Sequence, residues 1–452
     1  MLQSLFRPVL RPIMMGVMSV TGSRRAWSPL SLWPDGIDSP GMWISPRTLT
    51  SEWQDYTGTT PVSVPGTVAD TSNPVGLALD IRAGATVLTD PGNHMLQSTS
   101  AARPLLSARR NLLTYTEDFS NAVWEKNSVT VTANSTTAPD GALTADTLSP
   151  ASAGSSRILR YTTNQSVSTP YVYTVRVKKG AANWVLLVNN GIPGGAWFNV
   201  DTGTVGTVQS GVTAEIAEDA NGFFACVIKG NTASSIPYNF VDVYVVDADN
   251  STAVSAEANI YIWGAQLELG TTVTPYQSVP GDGSTYATDF PIFQKYDGVD
   301  DGMATAAFTA GTLTSAMDCM IPVRRDSAAL PQVIGLYQSD QTKYFGVVGT
   351  VSSDGAATYS GCGTPTVFVD GVEVASTRGA LFDVLTIGDF HILEYRGLDL
   401  SAWVNANFGN YGVPYQVNGA RGDIMLFEST ASTADKDAAR QYLADYYGVT
   451  LP

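Results

Sequence analysis

Histidine is nearly absent from this chain. Only His94 and His391 occur in 452 residues. Zinc hydrolysis and multi-histidine relays therefore lack their parts, and a single catalytic dyad is the most that could be assembled. Cysteine is equally scarce: Cys226, Cys319 and Cys362 are odd in number and widely spaced. Disulfide frameworks and zinc sites both need paired spacing, so the three read as buried apolar thiols. Charge is thin, at 15% of residues, and positive charge thinner still, with 25 basic against 41 acidic residues and a net charge of −16. Such a surface repels phosphate backbones and anionic lipid, which excludes a nucleic-acid partner. The chain also lacks an uninterrupted apolar run of about 20 residues, so no membrane insertion by a helix is expected.

Glycine and proline, at 42 and 24 residues, are plentiful instead, amid many Ser, Thr and Val residues. That is the composition of short strands joined by tight turns, and the length suggests roughly two or three domains. From Asn111 onward, runs such as Tyr171 to Val177, Trp184 to Val188, Phe223 to Ile228, Val241 to Val246 and Ile260 to Trp263 alternate with turn signals. Those signals include Pro139-Asp140-Gly141, Pro193-Gly194-Gly195 and Asn221-Gly222, and the spacing describes a β-sandwich. Ser278 to Thr288 has no periodicity and reads as a linker. A second set of strands follows between Lys295 and Phe427, with a tight hairpin expected at Asp370-Gly371. The one helix expected is a run from Ala434 to Tyr447, capped by Thr433 and stopped by Gly448, with Ala438, Tyr442, Leu443 and Tyr446 on one face.

Residues 1–26, with a doubled basic-proline-apolar unit, read as an extended N-terminal arm. Leu5, Phe6, Val9, Leu10, Ile13 and Met14 are its expected anchors on another protein, with Arg7 and Arg11 facing acidic groups. Packing on the chain's own first domain is the competing reading. A secretory signal is disfavoured because Pro8 and Pro12 interrupt the approach to the apolar run.

Several stretches carry a resemblance. Asn111-Leu-Leu-Thr-Tyr-Thr-Glu-Asp-Phe-Ser-Asn-Ala-Val-Trp124, Ala138-Pro-Asp-Gly-Ala-Leu-Thr-Ala-Asp146 and Tyr261-Ile-Trp-Gly-Ala-Gln-Leu-Glu268 resemble the carbohydrate-binding-module-like sandwich of spike and fibre proteins from tailed bacteriophages. Tyr296-Asp-Gly-Val-Asp-Asp301, Val367-Phe-Val-Asp-Gly-Val-Glu-Val374 and the ending Ala439 to Pro452 are similar to a laminin-G or concanavalin-like jelly roll of the same proteins. Upstream, Gly41-Met-Trp-Ile44, Val75-Gly-Leu-Ala-Leu-Asp80 and Gly92-Asn-His94 look like the lead-in that normally runs straight into the Asp-Gly-Val-Asp-Asp strand. The expected fold is therefore all-β, with two β-sandwich (jelly-roll) domains. A discontinuous jelly roll of residues 27–108 and 285–452 is interrupted by an inserted sandwich of residues 109–284.

The resemblance implies a virion fibre or spike subunit on the head or tail surface. It would be a homotrimer, bound to other virion proteins through the arm and to host cell-surface polysaccharide. A structural decoration protein without receptor binding and a secreted bacterial lectin-like adhesin remain as alternatives. Sugar binding needs exposed aromatic faces flanked by amides and carboxylates. Tyr171, Tyr173, Trp184, Trp197 and Tyr238 are the candidates in the inserted module, and Trp403, Tyr411 and Tyr415 in the terminal one. Trp124 and Trp263 are expected in the core. Glu117, Asp118, Asp146 and Glu268 are candidate ligands of a structural calcium only through the resemblance; the competing reading is solvated strand-end acids. Catalysis is not expected. The groupings Asp300-Asp301, Glu117-Asp118 and Asp247 with Asp249 share no catalytic motif, and no Gly-x-Ser-x-Gly elbow is present.

Overall fold

A computed structural model describes residues 27–62, 73–82, 84–90, 92–161, 165–236, 239–282, 290–308, 312–328 and 330–452. The arm and its eight expected contact residues lie outside the described residues. So do Tyr238 and most of the expected linker. What is described is an all-β jelly-roll architecture with two α-helices.

The middle of the chain forms two facing six-stranded sheets. One runs Thr213–Glu218, Phe224–Asn231, Pro170–Lys179, Ile260–Leu269, Ala145–Pro150, Val129–Thr136. The other, here the aromatic sheet, runs Thr204–Val208, Gly195–Asn199, Trp184–Asn189, Phe240–Val246, Ser156–Tyr161, Trp124–Asn127. Strand side chains alternate between faces. Val185, Leu187, Phe198, Val241, Val243 and Val245 point inward to meet Tyr171, Tyr173, Val175 and Ile262 of the facing sheet, closing a dry core. Trp124 lies in that core, while Trp263 is buried in a smaller cluster with Phe223 and Tyr276.

Residues on either side of this segment share a nine-stranded sheet. Leu105–Ala108 pairs with Ile292–Asp297, and Met42–Ile44 pairs with Ile424–Glu428. At its centre Met317–Arg325 is flanked by Phe390–Leu398 on one side and by Asn418–Arg421 and Ile424–Glu428 on the other. A smaller sheet joins Glu52–Trp53, Leu77–Ala78, Met95–Leu96, Met303–Thr305 and Asn407–Phe408. The hairpin at Asp370-Gly371 has the two positive φ angles, 53° and 85°, that a tight turn of this hand requires.

The C-terminal helix spans Thr433–Tyr447, but its cap is Ser432, whose hydroxyl accepts from the Asp435 N–H at 3.1 Å. Its buried face is Ala439, Leu443, Ala444 and Tyr447; Tyr442 and Tyr446 sit half-buried at its margin. Gly448 ends it in the left-handed region at φ 71°. A second helix, Arg378–Val384, was not anticipated from the sequence, because seven residues are too few to show a helical period. All three cysteines are buried and free.

Candidate functional site

The outer face of the aromatic sheet gathers the chemistry. In register across it lie Trp197, Leu186, Tyr244 and Arg157, each directly opposite the next. One row over, Val188 stands opposite Asp242. Trp184 flanks the cluster beside Val246. Inward-facing apolar residues such as Val185, Leu187, Phe198, Ile158 and Val243 anchor the strands, so the alternate residues are forced outward, and the face follows from the period of two.

Polar groups on this face are held in one network. Asp242 is 1% exposed, and its Oδ2 accepts from the Asn190 amide at 2.9 Å and from Arg157 Nη1 at 3.3 Å. Arg157 also donates to the Tyr244 hydroxyl, and its guanidinium lies 5.2 Å from that ring's centroid and 6.0 Å from the Phe240 ring. Burial pushes the Asp242 carboxyl up to about 6, with Asn190 and Arg157 pulling the other way. The second oxygen, Oδ1, has no hydrogen-bond partner. A cation and an amide held in place by the buried Asp242 carboxylate, beside half-buried rings, are groups that bind a polyhydroxylated ring: the aromatic face meets C–H groups and the polar atoms meet hydroxyls.

The structure redistributes the expected aromatic residues. Trp184 and Tyr244 present half-buried rings on the outer face. Trp197 shares that face but is 4% exposed, because the 247–253 loop crosses it and its Nε1 donates to the Ser251 carbonyl at 2.7 Å. Tyr171 and Tyr173, at 2% and 0% exposed, belong to the inter-sheet core and offer no surface to a ligand. Their strand alternates in the opposite phase to the one sugar contact would need. Tyr244, Arg157, Asp242 and Asn190 were not singled out from the sequence; strand alternation marks Tyr244 and Asp242 as facing away from Val243, but nothing in the sequence pairs them with Arg157.

In the terminal module Trp403 is also core, 5% exposed and 6.0 Å from the Phe345 ring. Tyr411 and Tyr415 are half-buried and 5.7 Å apart, and Tyr411 further meets Tyr337 and Tyr344 edge-on at 5.1 and 5.7 Å. The Tyr411 hydroxyl donates to the Gln341 carbonyl at 2.6 Å, tying two loops together. This smaller ring cluster lies on the other module from the aromatic sheet.

The four expected calcium ligands do not converge: no three of them bring their oxygens together. Glu268 is fully buried and engaged by Arg109 at 3.1 Å and by the Thr274 N–H and hydroxyl. Asp146 accepts backbone N–H groups of Phe119 and Asn134, both at 2.9 Å. Asp118 accepts from Ser120 and Asn121, and Glu117 from Tyr276 and Ser278. These acids serve local hydrogen bonding. Among the described residues, the group with oxygens within 4.8 Å of one another is Asp297, Asp300 and Asp301. Asp297 accepts from the Val299 N–H and Asp301 from the Asp297 N–H, which is turn chemistry.

No protein-family model matches the chain, and no curated protein matches it. One similar solved structure is the N-terminal CBM22-1–CBM22-2 tandem domain of Xyn10C from Paenibacillus barcinonensis. It is 13% identical, with a TM-score of 0.23, over 71% of this chain and 98% of that one. The architecture described above rests on the strand pairing alone.

Proposed function

We propose that this protein is a non-catalytic glycan-binding adhesin, and that the outer face of the aromatic sheet is its binding surface. The observation that carries the reading is the Arg157–Asp242–Asn190 network set among the rings of Tyr244, Trp184 and Phe240. Its likeness in sequence to phage spike and fibre modules supports placing it on a virion surface. There it binds host polysaccharide while the N-terminal arm attaches it to other virion proteins, and a trimer would multiply weak single contacts into avidity.

The test is binding of purified chain to a panel of bacterial surface polysaccharides, by glycan array and then calorimetry. Tyr244→Ala and Trp184→Ala each remove a half-buried ring and are expected to weaken binding about tenfold, the value of one aromatic contact, with the melting temperature nearly unchanged. A blank array, or full affinity in both variants, overturns the reading. Release of reducing ends from any bound polysaccharide would overturn the non-catalytic part of it.

A further inference from the structure

Tyr411 and Tyr415 stand on the two legs of one closed surface loop in the terminal module. Asn410 bridges Gln416 at its base, and the Tyr415 N–H donates to the Gly412 carbonyl at 2.7 Å. The loop is also fixed from below: Tyr411 packs edge-on against Tyr337, Tyr344 and Tyr415, and the Tyr337 hydroxyl donates to the Asn410 carbonyl. Rings set in place in this way lose little freedom when a ligand arrives. The tip of the loop carries Val413, 88% exposed and the most exposed large apolar side chain among the described residues. Tyr344, Tyr411 and Tyr415 are half-buried, so part of each ring reaches solvent.

A cation stands beside these rings. Arg378 is half-buried; its Nε donates to the Ala357 carbonyl at 3.2 Å and its Nη2 to the Tyr344 hydroxyl at 3.3 Å, and its guanidinium lies 5.9 Å from the Tyr415 ring centroid. Unlike Arg157 or Arg109, it has no carboxylate paired with it among the described residues. The acids of the surrounding loops are held locally. Asp354 accepts from the Ala356 N–H, Asp340 from the Thr342 N–H and hydroxyl, and Asp383 from the Ser352 hydroxyl. A guanidinium positioned by two neutral acceptors keeps its charge for a partner outside the chain. We infer that Arg378 with Tyr344, Tyr411 and Tyr415 forms a second glycan-binding site, one that takes an acidic saccharide. The sugar ring packs on Tyr415 and Val413 while its carboxylate pairs with Arg378. That the ligand is a saccharide rests on the glycan-binding reading; its negative charge rests on Arg378. With one site on each module, the chain could grip a polymer at two points, which multiplies weak contacts.

The experiment is calorimetric titration of the full chain with tetragalacturonate and with sialyllactose, each beside its methyl ester, which keeps the rings and removes the charge. Either acid is expected to bind about tenfold more tightly than its ester. Arg378→Gln should erase that difference, and Tyr415→Ala should weaken acid and ester alike. Each titration is repeated in Tyr244→Ala, which removes a ring from the aromatic sheet. Binding lost in Tyr415→Ala and kept in Tyr244→Ala supports this site even where the aromatic sheet fails; the reverse overturns this site and leaves the aromatic sheet standing. No binding of either acid, or a preference for acid that survives Arg378→Gln, overturns the inference. Self-association that Val413→Ser abolishes, seen by sedimentation, makes the loop a contact between copies and overturns it as well. Should Arg378→Gln fail to fold, salt carries the same test in Tyr244→Ala: raising NaCl from about 50 to about 500 mM must weaken acid binding and spare the ester. Acid binding indifferent to salt overturns the pairing with Arg378.

Discussion

Asp242 joins the binding face to pH. Its carboxyl is held near 6 by burial, against an ordinary value of 3.8. The folded chain therefore takes up this proton before the unfolded chain does. The stabilisation from protonated Asp242 is complete below about 3.8 and is lost as pH rises through about 6. The same proton discharges the group that holds Arg157 and Asn190. Glycan affinity is thus expected to fall several-fold between pH 7 and pH 5, while this group makes the fold no weaker. Asp242→Asn should flatten that dependence, as calorimetric titrations at the two pH values would show. Individual residues were only partly readable in advance. An aromatic side chain such as Trp184 is visible as a candidate, but whether its strand turns it outward depends on the phase of the neighbouring strands. That phase buries Tyr171 and Tyr173.

Between elements, the small sheet is tied to the large one by Glu52, fully buried and accepting from the Gln294 amide at 2.8 and 3.0 Å. Gln294 in turn accepts from Arg421, which also reaches the Tyr296 hydroxyl at 3.4 Å. Burial raises the Glu52 carboxyl to about 8, only partly opposed by Arg421 and Gln294. Folding consequently favours its protonated form, and that stability is lost as pH climbs from about 4.5 through about 8. Chemical denaturation should show stability dropping by a few kcal/mol over this window. Glu52→Gln, which keeps the shape without the charge, should remove most of the drop. Elements whose signals are local were legible: the Asp370-Gly371 hairpin and the helix ending at Gly448 both follow from a few adjacent residues. The cap moved one residue, from Thr433 to Ser432, because either hydroxyl suits the position and backbone geometry chose between them.

Across the whole molecule, the residue 109–284 segment meets the rest at a buried polar junction. Arg109 donates its backbone N–H to the Pro291 carbonyl at 2.9 Å and Thr271 donates to Asp389, while inside the segment the Arg109 side chain engages Glu268 at 3.1 Å and the Thr272 hydroxyl at 2.9 Å and Gln277 donates to the Arg109 carbonyl. Both partners of this ion pair are nearly sealed from solvent, with side chains 4% and 0% exposed. Removing one partner strands the other charge, so Glu268→Ala is expected to cost about 3–5 kcal/mol. Denaturant unfolding should show that loss as a lower midpoint, and an unchanged midpoint in Glu268→Ala would mean that the buried pair contributes nothing to stability. Glu268 was readable as a strand-end acid of the Tyr261 to Glu268 motif, but its partner stands 159 positions earlier, and no local pattern joins the two.

Alternation and turn chemistry by themselves determined an all-β chain, because each acts over a few residues, and the shortage of histidine, cysteine and positive charge narrowed the chemistry through bulk composition alone. Which strands share a sheet, which rings reach the surface, and which charges meet or are left alone was decided only in three dimensions. Arg157 with Asp242 and Arg109 with Glu268 are products of how the strands come together. Register is set by the packing of whole sheets.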